Sequence, residues 1–339
     1  MPNITIKAVA KDAGVSIATV SRVLNKNYPV SSELEQRVMR SVEKLNYYPN
    51  SVARSLKFDS TLSIGLIVSD ISNSFFSTIS RSVEDVVMRK HYDLIVCSTD
   101  SQGDKELSYI QLLLGKKVDG LVLNITGHND DFIRQISHTI PVVLCGRRVS
   151  SPEYKGDFAD SDNSSGSYSL IKHLIDHGHR RIAILNGQML VSSARERYDG
   201  FCRAMAGIGI TVDSSYPYCY EGDFTTAGSG YEGARHLMSL PEPPTAIAAM
   251  NNELCVGAMR YCHEHGIRIP EDVSLCSYGK IQNEDLMYVR PSYVVMDPAV
   301  IGTRIADLLL ERIEHKNRLA NREVLFSAEL VAGNGVRSI

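Results

Sequence analysis

The stretch Thr5-Ile6-Lys7-Ala8-Val9-Ala10-Lys11-Asp12-Ala13-Gly14-Val15-Ser16-Ile17-Ala18-Thr19-Val20-Ser21-Arg22-Val23-Leu24-Asn25 encodes two short helices and the turn between them. Thr5 is placed to cap a helix from Ile6 to about Ala13. Gly14 breaks that helix, since glycine alone takes a left-handed turn at little cost. Ser16 then caps a second helix, Ile17 to about Asn25. Two helices joined by so short a glycine turn form a helix-turn-helix. Val9, Val15, Val20 and Val23 supply its apolar contact, and Ala10 is small where the helices cross. From Ser32 onward, Leu34, Val38, Val42 and Leu45 recur at helical spacing, which predicts a third helix covering the first two.

The second helix presents Ile17, Ala18, Ser21 and Arg22 near its N-terminal half, the part of such a motif that enters a DNA major groove. Arg22 has the forked donors to grip O6 and N7 of a guanine. Ile17 and Ala18 have no side-chain donors and suit thymine methyls or groove shape. Thr5, Ser16, Thr19, Ser21, Asn25 and Ser31 are short polar groups suited to phosphates. The alternative is a small surface bundle without a DNA role. Charge argues against it. Residues 1–60 hold nine Lys/Arg and five Asp/Glu, a balance of +4, so a net charge of −3 leaves −7 on the rest. A basic head on an acidic body points one segment at phosphate.

At 339 residues the chain is long enough for two or three domains, and 43% hydrophobic with 22% charged residues is a globular composition. No apolar run approaches the ~20 residues that span a bilayer. The first residues lack an apolar signal-peptide core, so the expected location is the cytoplasm. Seven cysteines, an odd number at irregular spacing with no C-x-x-C, argue against a disulfide framework or a zinc ribbon.

Beyond residue 60 strands and helices alternate. Strand-like runs occur at Ser63–Val68, Tyr92–Cys97, Gly120–Asn124, Pro141–Leu144, Arg181–Leu185, Ala246–Met250 and Val273–Cys276. Helical patterns lie at Phe75–Arg89, Asp104–Gly115, Asp130–Gln135, Ser165–Asp176, Ser192–Ala206, Ala227–Met238, Glu253–His265 and Val300–Ile313. This rhythm predicts an α/β core of doubly wound parallel sheets, in two subdomains given its length. Ligands in such folds sit at the carboxyl ends of strands.

The headpiece stretch, together with Leu45-Asn46-Tyr47-Tyr48-Pro49-Asn50, resembles the signature of the LacI/GalR family. Ala8 departs from it, standing where the family usually has Asp. The likeness continues through Asp70-Ile71-Ser72-Asn73-Ser74-Phe75-Phe76, Asp162-Asn163 with Gly166, Gly178-His179, Ser193-Ala194-Arg195-Glu196-Arg197 and Gly257-Ala258-Met259. The resemblance implies a helix-turn-helix headpiece (1–49) and a hinge helix or linker (50–60). It implies a periplasmic-binding-protein-like core (61–339) for effector binding and dimerisation. The N-subdomain would take about 61–161 and 293–323, the C-subdomain about 162–292 and 324–339. It further implies that Asn50, Arg54 and Leu56 contact operator DNA, with Leu56 wedged into the minor groove at the centre of a pseudo-palindrome. A short isolated helix there is marginal in water and would order on DNA.

By family position, Ser69, Phe76, Asn124, Arg197, Phe224 and Asn251 line the effector pocket. Three departures bear on its chemistry: Asn251-Asn252 for the common Asn-Asp, Ser277-Tyr278-Gly279-Lys280 for Gly-Tyr-Asp-Asp, and Cys145-Gly146-Arg147-Arg148 where an Asp often follows the strand. Carboxylates are replaced and cations gained, so Arg147 and Lys280 join the candidate ligand residues. An anionic effector, a sugar acid or sugar phosphate, is the expectation; the alternative is that Lys280, Arg147 and Arg148 face solvent.

Other signals are weak. Gly228-Ser229-Gly230-Tyr231-Glu232-Gly233 matches G-x-G-x-x-G but follows no buried strand. His173, His177 and His179, and Cys262-His263-Glu264-His265, lack closed zinc-site spacing and read as surface structure. No coherent catalytic set is found, so no enzyme, cofactor or metal is expected. The expected function is a homodimeric repressor of carbohydrate-metabolism genes that binds double-stranded operator DNA and a small-molecule effector. A regulator controlled by a protein partner is the alternative, and a sugar-binding transport protein a more distant one.

Overall fold

The computed structural model describes residues 4–25, 30–47, 60–223, 226–295 and 297–339. The chain divides into two compact units, residues 1–61 and 62–339.

In the first unit, α1 (Ile6–Ala13), α2 (Ile17–Asn25) and α3 (Ser32–Lys44) form the expected bundle. Gly14 ends α1 in the left-handed conformation at φ 62°. Thr5 occupies the cap position of α1 but its side chain makes no capping hydrogen bond, whereas Ser16 caps α2 by accepting from the Thr19 amide at 3.1 Å. Val9, Ala10, Ala13, Val20, Val23 and Val38 are the buried core, with Val15, Val42 and Leu45 packed partly buried around it. So small a core is reinforced by polar ties. Arg37 donates to the Ala13 carbonyl at 2.8 Å, satisfying a helix-end acceptor of α1. Asp12 accepts from Ser41 and Lys44, which join α1 to α3.

The second unit holds two six-stranded sheets. Its elements run β1 (Ser63–Val68), α4 (Ser74–Arg89), β2 (Asp93–Ser98), α5 (Gly103–Gly115), β3 (Gly120–Leu123), α6 (Asp130–Ser137), β4 (Val142–Cys145) and β5 (Asp157–Ser161). Then come α7 (Asn163–Asp176), β6 (Ile182–Gly187), α8 (Ser192–Ala206), β7 (Cys219–Gly222), α9 (Ala227–Met238), β8 (Ala246–Ala249), α10 (Asn252–Glu264) and β9 (Ser274–Tyr278). After β10 (Ser292–Val295) follow α11 (Pro298–Glu314), β11 (Glu323–Phe326) and β12 (Glu329–Val331). Strand order is β11-β5-β4-β3-β1-β2 in one sheet and β12-β10-β9-β8-β6-β7 in the other. All pairings are parallel except β10 with β12. The central strands are buried on both faces and read as near-continuous apolar runs, as parallel sheets under helices require.

The chain passes between the sheets three times: after β5, after β10 and after β11. The last two passages fall a few residues later than the subdomain division drawn from sequence. Residues 293–295 pair in the second sheet and residues 324–326 in the first. Both are short: β11 is an edge strand whose partner β5 lies far away in sequence, and β10 lies next to the edge strand β12.

One buried ion cluster closes the first sheet. Asp157, fully buried at the start of β5, accepts from Arg312 of α11 at 2.6 Å and from the Arg322 guanidinium at 2.6 Å and backbone at 2.8 Å. Burial pushes the Asp157 carboxyl up, but the hydrogen bonds from Arg312 and Arg322 outweigh it and hold the group below its ordinary range.

Two of the discounted signals have structural explanations. The G-x-G-x-x-G run lies inside α9, where a Cβ on Gly230 would overlap the Leu254 carbonyl of α10; Gly257 faces Ala227 in the same way. These glycines bring two helices together. His179 is buried, contrary to the surface reading. Its ring is bonded to the Thr245 hydroxyl at 2.9 Å and the Arg337 carbonyl at 3.1 Å. That pairing satisfies both nitrogens of a neutral imidazole without a metal.

Candidate functional sites

On the headpiece, Thr5, Ser16, Ile17, Ala18, Arg22 and Ser31 are exposed, and Thr19 and Ser21 are half-buried. Ile17 keeps 44% of its surface in solvent, an unusual place for an isoleucine in so small a bundle. Ile17, Ala18, Ser21 and Arg22 mark the face of α2 away from its buried Val20 and Val23. The Asn25 side chain and all of Asn50, Arg54 and Leu56 lie outside the described residues.

In the core, a cavity of about 430 Å³ opens at the carboxyl ends of the strands, walled by both sheets. Ser69, Phe76, Asn124, Arg147, Arg197, Asn251 and Lys280 all line it. Phe224 lies outside the described residues. Each side chain is positioned by its neighbours. Ser69 and Asn124 follow β1 and β3, and the Asn124 amide donates to the Cys145 carbonyl at 2.7 Å. Asn251 caps α10, accepting from the amides of Glu253 at 2.6 Å and Leu254 at 3.3 Å. Phe76 meets Phe75 edge-on at 5.2 Å. Arg197 of α8 donates to Asn163 at 2.9 Å and to the Met250 carbonyl, with its guanidinium 3.9 Å above the Tyr278 ring. Pinned at three points, Arg197 presents a fixed donor surface at low entropic cost.

The cations divide. Arg147 is buried and donates to the Ile125 carbonyl at 2.9 Å, so it is not a solvent-facing charge. Burial brings its pKa down to about 10, opposed by Glu106, and it stays protonated at neutral pH. Lys280 is 55% exposed and 3.7 Å from Glu284, at the rim. Arg148 does not line the cavity. It is ion-paired with Glu196 at 3.0 Å and Glu323 at 2.8 Å and lies over the Phe158 ring.

The expectation of a cavity stripped of carboxylates needs correcting, because Asp70, Asp160 and Asp285 line it too. Asp160 is 2% exposed. Burial pushes its carboxyl up to about 6, against the pull of Arg197. Sequence reading missed it because β5, Asp-Phe-Ala-Asp-Ser, has no strand-like alternation. The only local signal is its place two residues before Asp162-Asn163, where the chain crosses between sheets. Tyr278, Asn73 and Asn252 were also not assigned to the site. Asn73 and Asn252 exchange amide hydrogen bonds of 3.1 and 3.3 Å across the cleft, and the Ser161 and Tyr278 hydroxyls lie 3.0 Å apart. These ties hold the two walls together in the observed state.

A small DNA-binding-type helix bundle followed by a two-sheet core with a polar interior cleft is the build of a ligand-responsive bacterial regulatory protein. The family profile for bacterial regulatory proteins of the LacI family matches residues 5–50, and that for periplasmic binding proteins and the sugar binding domain of the LacI family matches residues 61–332. The chain belongs to the LacI family of DNA-binding transcriptional regulators. It is 35% identical to the HTH-type transcriptional repressor PurR of Haemophilus influenzae (strain PittEE), over 99% of each chain. Among solved structures, the Lac repressor dimer bound to operator and the anti-inducer ONPF superposes with a TM-score of 0.84 at 25% identity, covering 99% of each chain. The CelR–cellobiose complex gives 0.73 at 27% identity, covering 98% of this chain and 99% of that one. No described helix is long and apolar enough to cross a membrane, and no described group of side chains has the make-up of a metal site.

Proposed function

We propose that this protein is a cytoplasmic, homodimeric repressor of carbohydrate-metabolism genes whose hold on operator DNA is set by a sugar-type effector in the core cavity. The observation that carries the effector reading is the cavity lining. Forked donors (Arg147, Arg197), amides and two aromatic rings (Phe75, Phe76) line one cavity, a combination that orients a small hydroxylated ring. The operator reading is supported by the exposed face of α2 and the basic head. Two heads on a symmetric dimer meet two half-sites of a pseudo-palindrome. An inducer binds the DNA-free form better, a corepressor the DNA-bound form, by linkage.

The test is thermal unfolding of the full chain against neutral sugars, sugar acids, sugar phosphates and purine bases. A compound at 100 times its dissociation constant adds about 2.7 kcal/mol, a readable rise in Tm. A second reading, favoured by the relatives named PurR and by the flat aromatic faces of the cavity, has a purine as effector; a shift with purines alone selects it. No shift with any class would move control to a protein partner.

The hinge expectation is tested on residue 56. Leu56→Ala should weaken specific operator binding while leaving non-specific, salt-sensitive binding nearly intact, because a wedge acts only on the kinked central step. An equal fall in both would refute the wedge.

A further inference from the structure

The carboxyl ends of β3, β4 and β5, neighbours in the sheet, set three polar groups on one cavity wall: Asn124, Arg147 and Asp160. The Asn124 amide is fixed by its bond to Cys145, and its buried Oδ1 has no hydrogen-bond partner among the described residues. Asp160 accepts from Asn163 of α7 at 2.7 Å and from the Ser161 backbone amide. The other groups that interact with Asp160 are Cys145 and Arg147 at β4, Arg197 and Glu196 on α8, and Tyr278 on β9. One buried guanidinium, Arg147, and one half-buried, Arg197, attract an anion into this corner, and one buried carboxylate repels it. At low dielectric neither effect is small. A bare anion meets both. An anion that carries its own hydroxyl donor turns the repulsion into a hydrogen bond.

We propose that Asp160 selects the effector: it accepts a hydrogen bond from a hydroxyl beside the effector's anionic group, that group faces Arg147 and Arg197, and anions without such a hydroxyl are turned away. The ligand class is a hydroxy acid or a hydroxylated phosphate ester, with the Asn124 oxygen accepting from a second hydroxyl. This rests on the cavity being the effector site.

The charge gate can be tested without knowing the effector. A protonated Asp160 neither repels an anion nor needs a donor, so binding of a bare anion takes up a proton and strengthens as pH falls through the carboxyl's titration near 6. Sulfate keeps its charge over this range and is the probe. Tm of the full chain is measured in sulfate against chloride at matched ionic strength, at about pH 5.5 and about pH 8. The proteins are the wild type, Asp160→Asn, and Asp160→Asn combined with Arg147→Gln. The double variant supplies the baseline for sulfate acting on the headpiece or by exclusion from the surface. The wild type should exceed that baseline at the lower pH only. Asp160→Asn should exceed it at both, with sulfate affinity at the higher pH raised about tenfold or more, the worth of one pKa unit. A wild type without the pH step, or Asp160→Asn matching the wild type at the higher pH, overturns the proposal. The wild-type pH step stands by itself if the variants fold poorly. Failure of the effector-site reading shows separately, as no response to the sugar, sugar-acid, phosphate and purine panel while sulfate behaves as described.

Discussion

Asp157→Ala should lower the unfolding free energy of the chain by about 3–5 kcal/mol, the cost of leaving buried charge without its partner. Asp157 is fully buried between Arg312 and Arg322, and Arg312 is fully buried as well. Removing the carboxylate leaves the Arg312 guanidinium with only the Asn317 amide oxygen and the carbonyls of Leu319 and Ala320. It also removes the acceptor for the Arg322 backbone amide, where β11 joins β5. Urea midpoints read the loss directly. The pH dependence follows from the depressed carboxyl of Asp157. Its stabilisation is full at neutral pH and is lost as pH falls through the folded-state value, below about pH 4. The gap between variant and wild type should therefore close in acid. Pairing Asp157→Leu with Arg312→Met should recover most of the stability, since an apolar pair of similar volume often matches a buried ion pair. A loss below about 1 kcal/mol for Asp157→Ala would place the cluster with surface ion pairs in energetic terms.

The second large effect belongs to the headpiece. Arg22→Ala should weaken operator binding by about 1–3 kcal/mol, or about 5- to 150-fold, the range for a two-bonded arginine–guanine contact. Arg22 is exposed on α2 and Val23 beside it is buried, so the substitution leaves the bundle core untouched. Fluorescence anisotropy on an operator obtained by selection, and on copies altered one base at a time, separates two roles. A base-reading arginine makes the loss large on the preferred sequence and small where its guanine is already replaced. A uniform loss on every sequence, with a reduced salt slope, would make Arg22 a phosphate contact instead.

The long elements were legible because their signals are local. α1, Gly14 and α2 announce themselves by caps, a glycine and valine spacing, and each core strand from β1 to β9 with an apolar run was placed to within a residue or two. What was not legible is non-local. β5, β7, β10, β11 and β12 are three to five residues long, and β5 carries acidic residues at or near both ends while β11 and β12 each begin with one. Their strand character comes from partners up to 165 residues away, as in the bond from Arg322 to Asp157. The candidate site divides in the same way. Residues at fixed offsets after recognisable strands, such as Ser69, Asn124 and Asn251, were placed on the cavity. Asp160 was missed because its strand was missed, and the solvent-facing alternative for Arg148 overlooked its ion pairs with Glu196 and Glu323, which are distant in sequence.

The three passages between sheets bear on the order in which the protein is made. The first sheet lacks its edge strand until residues 323–326 have emerged to pair with β5, and the second until residues 329–331 reach β10. A ribosome therefore releases a finished headpiece long before either half of the core can close. A message cut short near its end would yield a chain with a complete helix bundle on a core whose two sheets each lack a strand.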